Sequence, residues 1–68
     1  MIAKLTERER QVAGLVALGL RTKQVASQLG IEYGTAKVHL ANIYIKLEIS
    51  SKTALTRAWI IHELANDN

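Results

Sequence analysis

The sequence contains no cysteine and no proline. The first absence excludes disulfide staples and thiolate metal sites, and it suits a reducing compartment. The second suits a chain of helices joined by short turns, since proline breaks helix interiors. Long apolar runs are also missing: none approaches the ~20 residues of a membrane span, and the N-terminus has no signal-peptide pattern. There is no linker, low-complexity stretch or internal repeat. The 68 residues make one short domain. At this size a core contributes only roughly 3–5 kcal/mol unless something staples it. A net charge of +3 and a pI near 9.6 lean toward a polyanionic partner. Many inert small domains are as basic, so the placement of the charges matters more than their sum.

Four helices are expected, over about 7–18, 23–29, 33–47 and 52–65. The first opens with a capping box, Thr6 as N-cap and Glu9 three residues later. Val12, Leu15 and Val16 follow at helical spacing, and Gly19 closes the helix in the left-handed conformation. Gly14 costs this helix roughly 1 kcal/mol relative to alanine, which places it on the outer face or under a close neighbour. The second helix starts at Thr22 as cap, is apolar at Val25, Ala26 and Leu29, and stops at Gly30. Ala36, Leu40, Ile43 and Leu47 form the inward stripe of the third, Ser51 caps the fourth, and the last three residues fray.

A short helix, a tight turn with glycine and a longer helix make a helix-turn-helix. Ala26 is small where the two helices approach, Leu29 and Ile31 anchor the turn, Gly30 takes the conformation other residues resist, and Ala36 faces helix 2. The outer face of helix 3 carries Lys37, Val38, Ala41, Asn42, Ile45 and Lys46. Water does not require Val38 or Ile45 there. A recognition helix in the major groove does use such a face, with donors for bases and phosphates and small apolar groups for thymine methyls. Lys37 and Val38 lie at the N-terminal end, where base edges are reached; Ala41 and Asn42 continue the exposed side, and Lys46 is placed for phosphate. The segment 33–47 has two lysines and no acid. Thr22 and Lys23 either meet phosphate through the helix 2 N-terminus or form an ordinary cap beside a solvated lysine. Tyr33 and Tyr44 either touch the sugar-phosphate backbone or cover the core edge, the second being favoured for Tyr44. Gly34 either admits close approach to DNA or is simply tolerated in a first turn.

"LTERERQV", "GLRTKQVASQLGI" and "TAKVHLANIYIKLEI" together resemble the DNA-binding domain of LuxR/FixJ-type (GerE-like) bacterial transcription regulators. The likeness covers nearly the whole chain and includes the Thr-x-Lys-x-His run from Thr35 and the closing Lys-Leu. It implies an all-α, compact four-helix bundle that binds double-stranded promoter DNA in the cytoplasm without a cofactor. Helix 3, with Thr35 among its contacts, would enter the major groove; helix 4 would dimerise, and RNA polymerase would be a further partner. Departures from the family pattern are Glu32 for a serine cap, Ala36 for a larger branched residue, Ala41 without polar reach, Ile45 for a basic or polar residue and Lys52 for arginine. They imply a phosphate affinity per monomer below the family's norm.

Helix 4 has a sequence argument of its own. Its polar side is narrow (Lys52, Thr56 and Glu63), flanked by a stripe of Ala54, Ala58, Ile61 and Ala65 and a second of Leu55 and Trp59 with Ile60 beyond. This arc exceeds what a three-helix core requires. The sequence leaves open which stripe faces inward; the one left over meets its copy in a weak homodimer, with Leu55, Trp59 and Ile60 as the expected interface residues. The rival reading is a helical protein-interaction module that uses Val38 and Ile45 against a partner helix. Nothing assembles a nucleophile, base and oxyanion site, so no catalysis is expected. No metal is expected either: His39 has no cysteine or carboxylate at ligand spacing, and His62 is on another helix. A hydrogen-bonded histidine at the core edge is the expectation for His39. Two arrangements fit a chain that begins almost at its first helix: a stand-alone regulator, or the output domain of a longer receiver- or ligand-controlled protein.

Overall fold

The computed structural model describes residues 2–66. A 3-10 turn, Ile2–Lys4, leads into α1 (Glu7–Ala17), α2 (Thr22–Leu29), α3 (Tyr33–Leu47) and α4 (Lys52–Ala65), and no strand occurs among the described residues. The bounds of α3 and α4 are those expected from the sequence. The capping box forms as read: the Glu9 N–H donates to Thr6 Oγ1 at 3.1 Å, and the Thr6 N–H donates to Glu9 Oε1 at 2.9 Å.

Helix α2 starts one residue earlier than expected. Its N-cap is Arg21, not Thr22, and Thr22 is already helical. Arginine has no side-chain acceptor, so the start is secured from the other direction: Gln24 Oε1 accepts the Arg21 N–H at 2.8 Å. At the far end of the chain, the Ser51 hydroxyl accepts the Ala54 N–H at 3.1 Å, as expected. Of the three residues expected to fray, Asn66 instead closes α4, its side-chain amide donating to the His62 carbonyl at 2.9 Å; residues 67 and 68 lie outside the described residues.

Helices α1, α2 and α3 end in one shared device, a left-handed residue with crossed 5→2 and 6→1 backbone hydrogen bonds. Gly19 (φ 97°) donates to Val16 and Leu20 to Leu15; Gly30 (φ 68°) donates to Ser27 and Ile31 to Ala26. The third turn uses Glu48 (φ 56°), which donates to Ile45 while Ile49 donates to Tyr44.

These turns fold the helices around a core of Val12, Ala13 and Val16 from α1, Val25 from α2, Ile43 from α3 and Leu55 from α4. Ile2, in the 3-10 turn, and Leu5, just after it, complete it, a contribution the sequence reading missed. Helix α1 packs against both α3 and α4, and α2 packs chiefly on α3. Ala26 and Ala36 are both buried, as their small size suggested. Gly14 lies under a close neighbour: a Cβ there would sit 3.1 Å from Trp59 Cζ2.

Helix α4 corrects the expected dimer surface. Leu55 has no exposed surface and belongs to the core, so it cannot meet a second copy. Trp59 is half-buried, with its ring over Gly14 of α1. Of the expected interface only Ile60 stands well exposed, joined by Ile61 and Leu64. The Leu55–Trp59 stripe faces inward because α4 docks on α1 by that side. No described helix is long and apolar enough to cross a membrane.

Candidate nucleic-acid interface

The 100° step of a helix divides α3 into a buried side and an outward arc. Ala36 and Ile43 are fully buried, with Leu40 and Leu47 packed against the core beside them. Gly34, Thr35, Val38, Ala41, Asn42 and Ile45 are all exposed, Val38 by 59% and Ile45 by 73%. Two stripes run along this arc at helical spacing, Tyr33–Lys37–Ala41 and Val38–Asn42–Ile45. The N–H groups of the first turn of α3 lack a side-chain cap, because Glu32 makes no capping hydrogen bond.

The first stripe meets the start of α2. Thr22, Tyr33, Lys37, Leu40, Ala41 and Tyr44 line a shallow groove of about 230 Å³. Four of the residues singled out from the sequence, Thr22, Tyr33, Lys37 and Ala41, are thus brought together from two helices. Lys23 is exposed on the first turn of α2. Arg21, exposed at the cap position immediately before Thr22, adds a cation that the sequence reading passed over. The run Arg21-Thr22-Lys23 at a helix start was the available signal. Tyr44 covers the core edge, as favoured, and burial raises the pKa of its hydroxyl. Gly34 has open space around it.

On the opposite flank the structure overturns one assignment. Lys46 does not stand free for phosphate: its Nζ lies 2.7 Å from Glu9 Oε1 on α1. Glu9 is 4% exposed, so this ammonium is the counter-charge of a buried carboxylate. Burial raises the Glu9 pKa, but the hydrogen bonds from Lys46 and Thr6 and the Lys46 charge outweigh it, and the net shift is below the ordinary 4.5. No sequence spacing could reveal a partner 37 residues away. His39 is half-buried on the same flank and makes no side-chain hydrogen bond among the described residues, contrary to expectation. The described residues contain no cluster of His, Cys, Asp or Glu able to hold a metal ion.

What remains exposed is an acid-free helix face with one free lysine at its leading end, apolar groups beside it, and an uncapped N-terminus on each of two adjoining helices. The chain is similar to several bacterial transcription regulators. The chain is 42% identical over 59 residues to the monoamine regulon transcriptional regulator of Klebsiella aerogenes, covering 85% of this chain and 26% of that protein. It is 45% identical over 53 residues to the transcriptional regulatory protein UhpA of Escherichia coli, covering 78% and 27%. With the nitrate/nitrite response regulator protein NarP of Escherichia coli it shares 48% identity over 52 residues, covering 76% and 24%. The chain thus spans about a quarter of the length of these relatives. The family model of bacterial regulatory proteins, luxR family, matches residues 3–59. Both helices of the helix-turn-helix and most of α4 fall within that match, and the chain belongs to the luxR family of bacterial regulatory proteins.

Proposed function

We propose that this domain binds double-stranded DNA sequence-specifically in transcription regulation, with α3 seated in the major groove and the cytoplasm as its place of action. The observation that carries the proposal is the outward arc of α3, where Lys37 stands beside exposed Val38, Ala41 and Asn42 with no acid on the helix. Lysine supplies donors to base acceptors, asparagine reads adenine, and valine and alanine suit a thymine methyl. Arg21, Lys23 and the N-termini of α2 and α3 serve the phosphates on either side.

Selecting bound sequences from a random duplex pool, then titrating salt on the selected site, tests this reading. With ~3 phosphates neutralised per monomer, log K falls with log salt at a slope of about −3. This count omits Lys46, which Glu9 occupies. A flat salt response overturns the proposal and favours the apolar protein-interaction reading through Val38 and Ile45.

Pairing of two copies belongs to the same proposal, through Ile60, Ile61 and Leu64 of α4 in place of Leu55. A two-fold axis there presents two α3 helices to half-sites about one DNA turn apart, within reach of RNA polymerase at a promoter. Sedimentation equilibrium of the Ile61→Glu variant checks it: the substitution removes association and leaves the fold intact. A strict monomer before mutation, with no gain from paired half-sites, rules the pairing out.

A further inference from the structure

The two lysines of α3 are held in opposite ways. Lys46 faces a buried carboxylate, which cancels its charge. The Lys37 ammonium lies over the ring of Tyr33, 5.4 Å from its centroid, and the only ion pair among the described residues is that of Lys46. A ring face attracts a cation through its quadrupole without neutralising it and without occupying the N–H donors as a carboxylate would. Tyr33 and Lys37 are one helical turn apart on the same stripe, and lysine side chains on a helix lean toward its N-terminus. The ring is half exposed and lies at the leading end of α3, beside the groove shared with Thr22.

We propose that Tyr33 is the positioning residue of Lys37 and a determinant of sequence specificity. It restricts a flexible side chain to the leading end of α3 while leaving its charge and donors available for the acceptor edge of a guanine. Tyr33 therefore acts through Lys37, not through its own contact with the sugar-phosphate backbone. A lysine with its usual freedom would reach phosphates on many sequences as readily as one base. A lysine held over the ring loses less freedom on docking to the base, so the gain falls on the cognate site. The inference rests on the DNA-binding reading above.

The test compares the wild type with Tyr33→Phe, Tyr33→Leu, Lys37→Ala and the Tyr33→Leu/Lys37→Ala double variant, on the selected duplex and on a random duplex of equal length. Tyr33→Phe keeps the ring and keeps both affinities. Tyr33→Leu weakens the selected duplex about two- to five-fold, the range of an exposed cation–π contact, and leaves the random duplex unchanged. It has no further effect once Lys37 is alanine. In the free protein, the ε-methylene protons of Lys37 carry an upfield ring-current shift that Tyr33→Phe retains and Tyr33→Leu abolishes. Equal weakening on both duplexes, additivity with Lys37→Ala, or absence of the ring-current shift overturns the positioning role while leaving DNA binding in place. Failure of the wild type to bind either duplex overturns the DNA-binding reading, and the positioning role with it.

Discussion

Oε1 of Glu9 accepts two hydrogen bonds, from the Lys46 ammonium at 2.7 Å and from the Thr6 N–H at 2.9 Å, so one oxygen fastens the last turn of α3 to the first turn of α1. Removing the ammonium leaves a buried carboxylate without its counter-charge. Lys46→Met is expected to destabilise the fold by about 1–3 kcal/mol, below the full cost of breaking a deeply buried pair because water screens the lysine. The lysine side chain is 35% exposed. Urea denaturation measures the loss. Any variant that still folds should keep the wild-type salt slope on DNA, since the Lys46 ammonium is paired with Glu9.

The same pair gives the fold a dependence on pH. Burial opposes the charged form of Glu9, yet the bonds from Lys46 and Thr6 prevail and the folded pKa lies below 4.5. A carboxyl with a depressed folded pKa contributes stability that is present above the unfolded pKa and is lost as pH falls through the folded one. The urea midpoint should therefore decline as pH drops below about 4.5, and Glu9→Gln should flatten that decline while lowering stability at neutral pH. An equally steep acid decline in Glu9→Gln would assign the effect to other carboxylates.

Glu48 occupies the left-handed position that glycine fills at the ends of α1 and α2. A side chain with a Cβ is strained there, whereas glycine is not but costs chain entropy on folding. Glu48→Gly is expected to stabilise the protein by about 0.5–1 kcal/mol. Gly30→Ala should destabilise it by a similar amount or more. Thermal melts of the two variants check the opposite signs.

On the outward arc of α3, Lys37→Ala should cost about 1–3 kcal/mol on the selected duplex and much less on random DNA. Val38→Ala should relax preference at a thymine position with little change in non-specific affinity. Competition binding against single-base variants of the selected site reads both effects. Uniform weakening of every sequence by Lys37→Ala would make Lys37 a phosphate contact instead.

Features written by neighbours in the chain were legible in the sequence. Thr6 and Glu9 are three residues apart and bond each other; Ala36 and Ile43 are one face apart from Val38 and Ile45 and lie on opposite sides of α3. What stayed hidden depends on packing. Glu48 adopts a conformation that glutamate does not favour, because the crossed hydrogen bonds and the docking of Ile49 against the core hold it there. Arg21 carries no capping signal, and the start of α2 depends on Gln24 reaching back. Both apolar stripes of α4 were eligible for the core, and the docking of Trp59 on Gly14 decided between them. Lys46 read as a phosphate contact because its partner belongs to another helix.

Ile2, the first residue of the 3-10 turn, and Leu5, which follows it, are buried ahead of α1, and the turn touches α3 and α4. Two core side chains thus come from outside the four α-helices. Shortening Ile2 or Leu5 to alanine would therefore loosen the seating of α3 and α4 together, from a segment that belongs to neither helix.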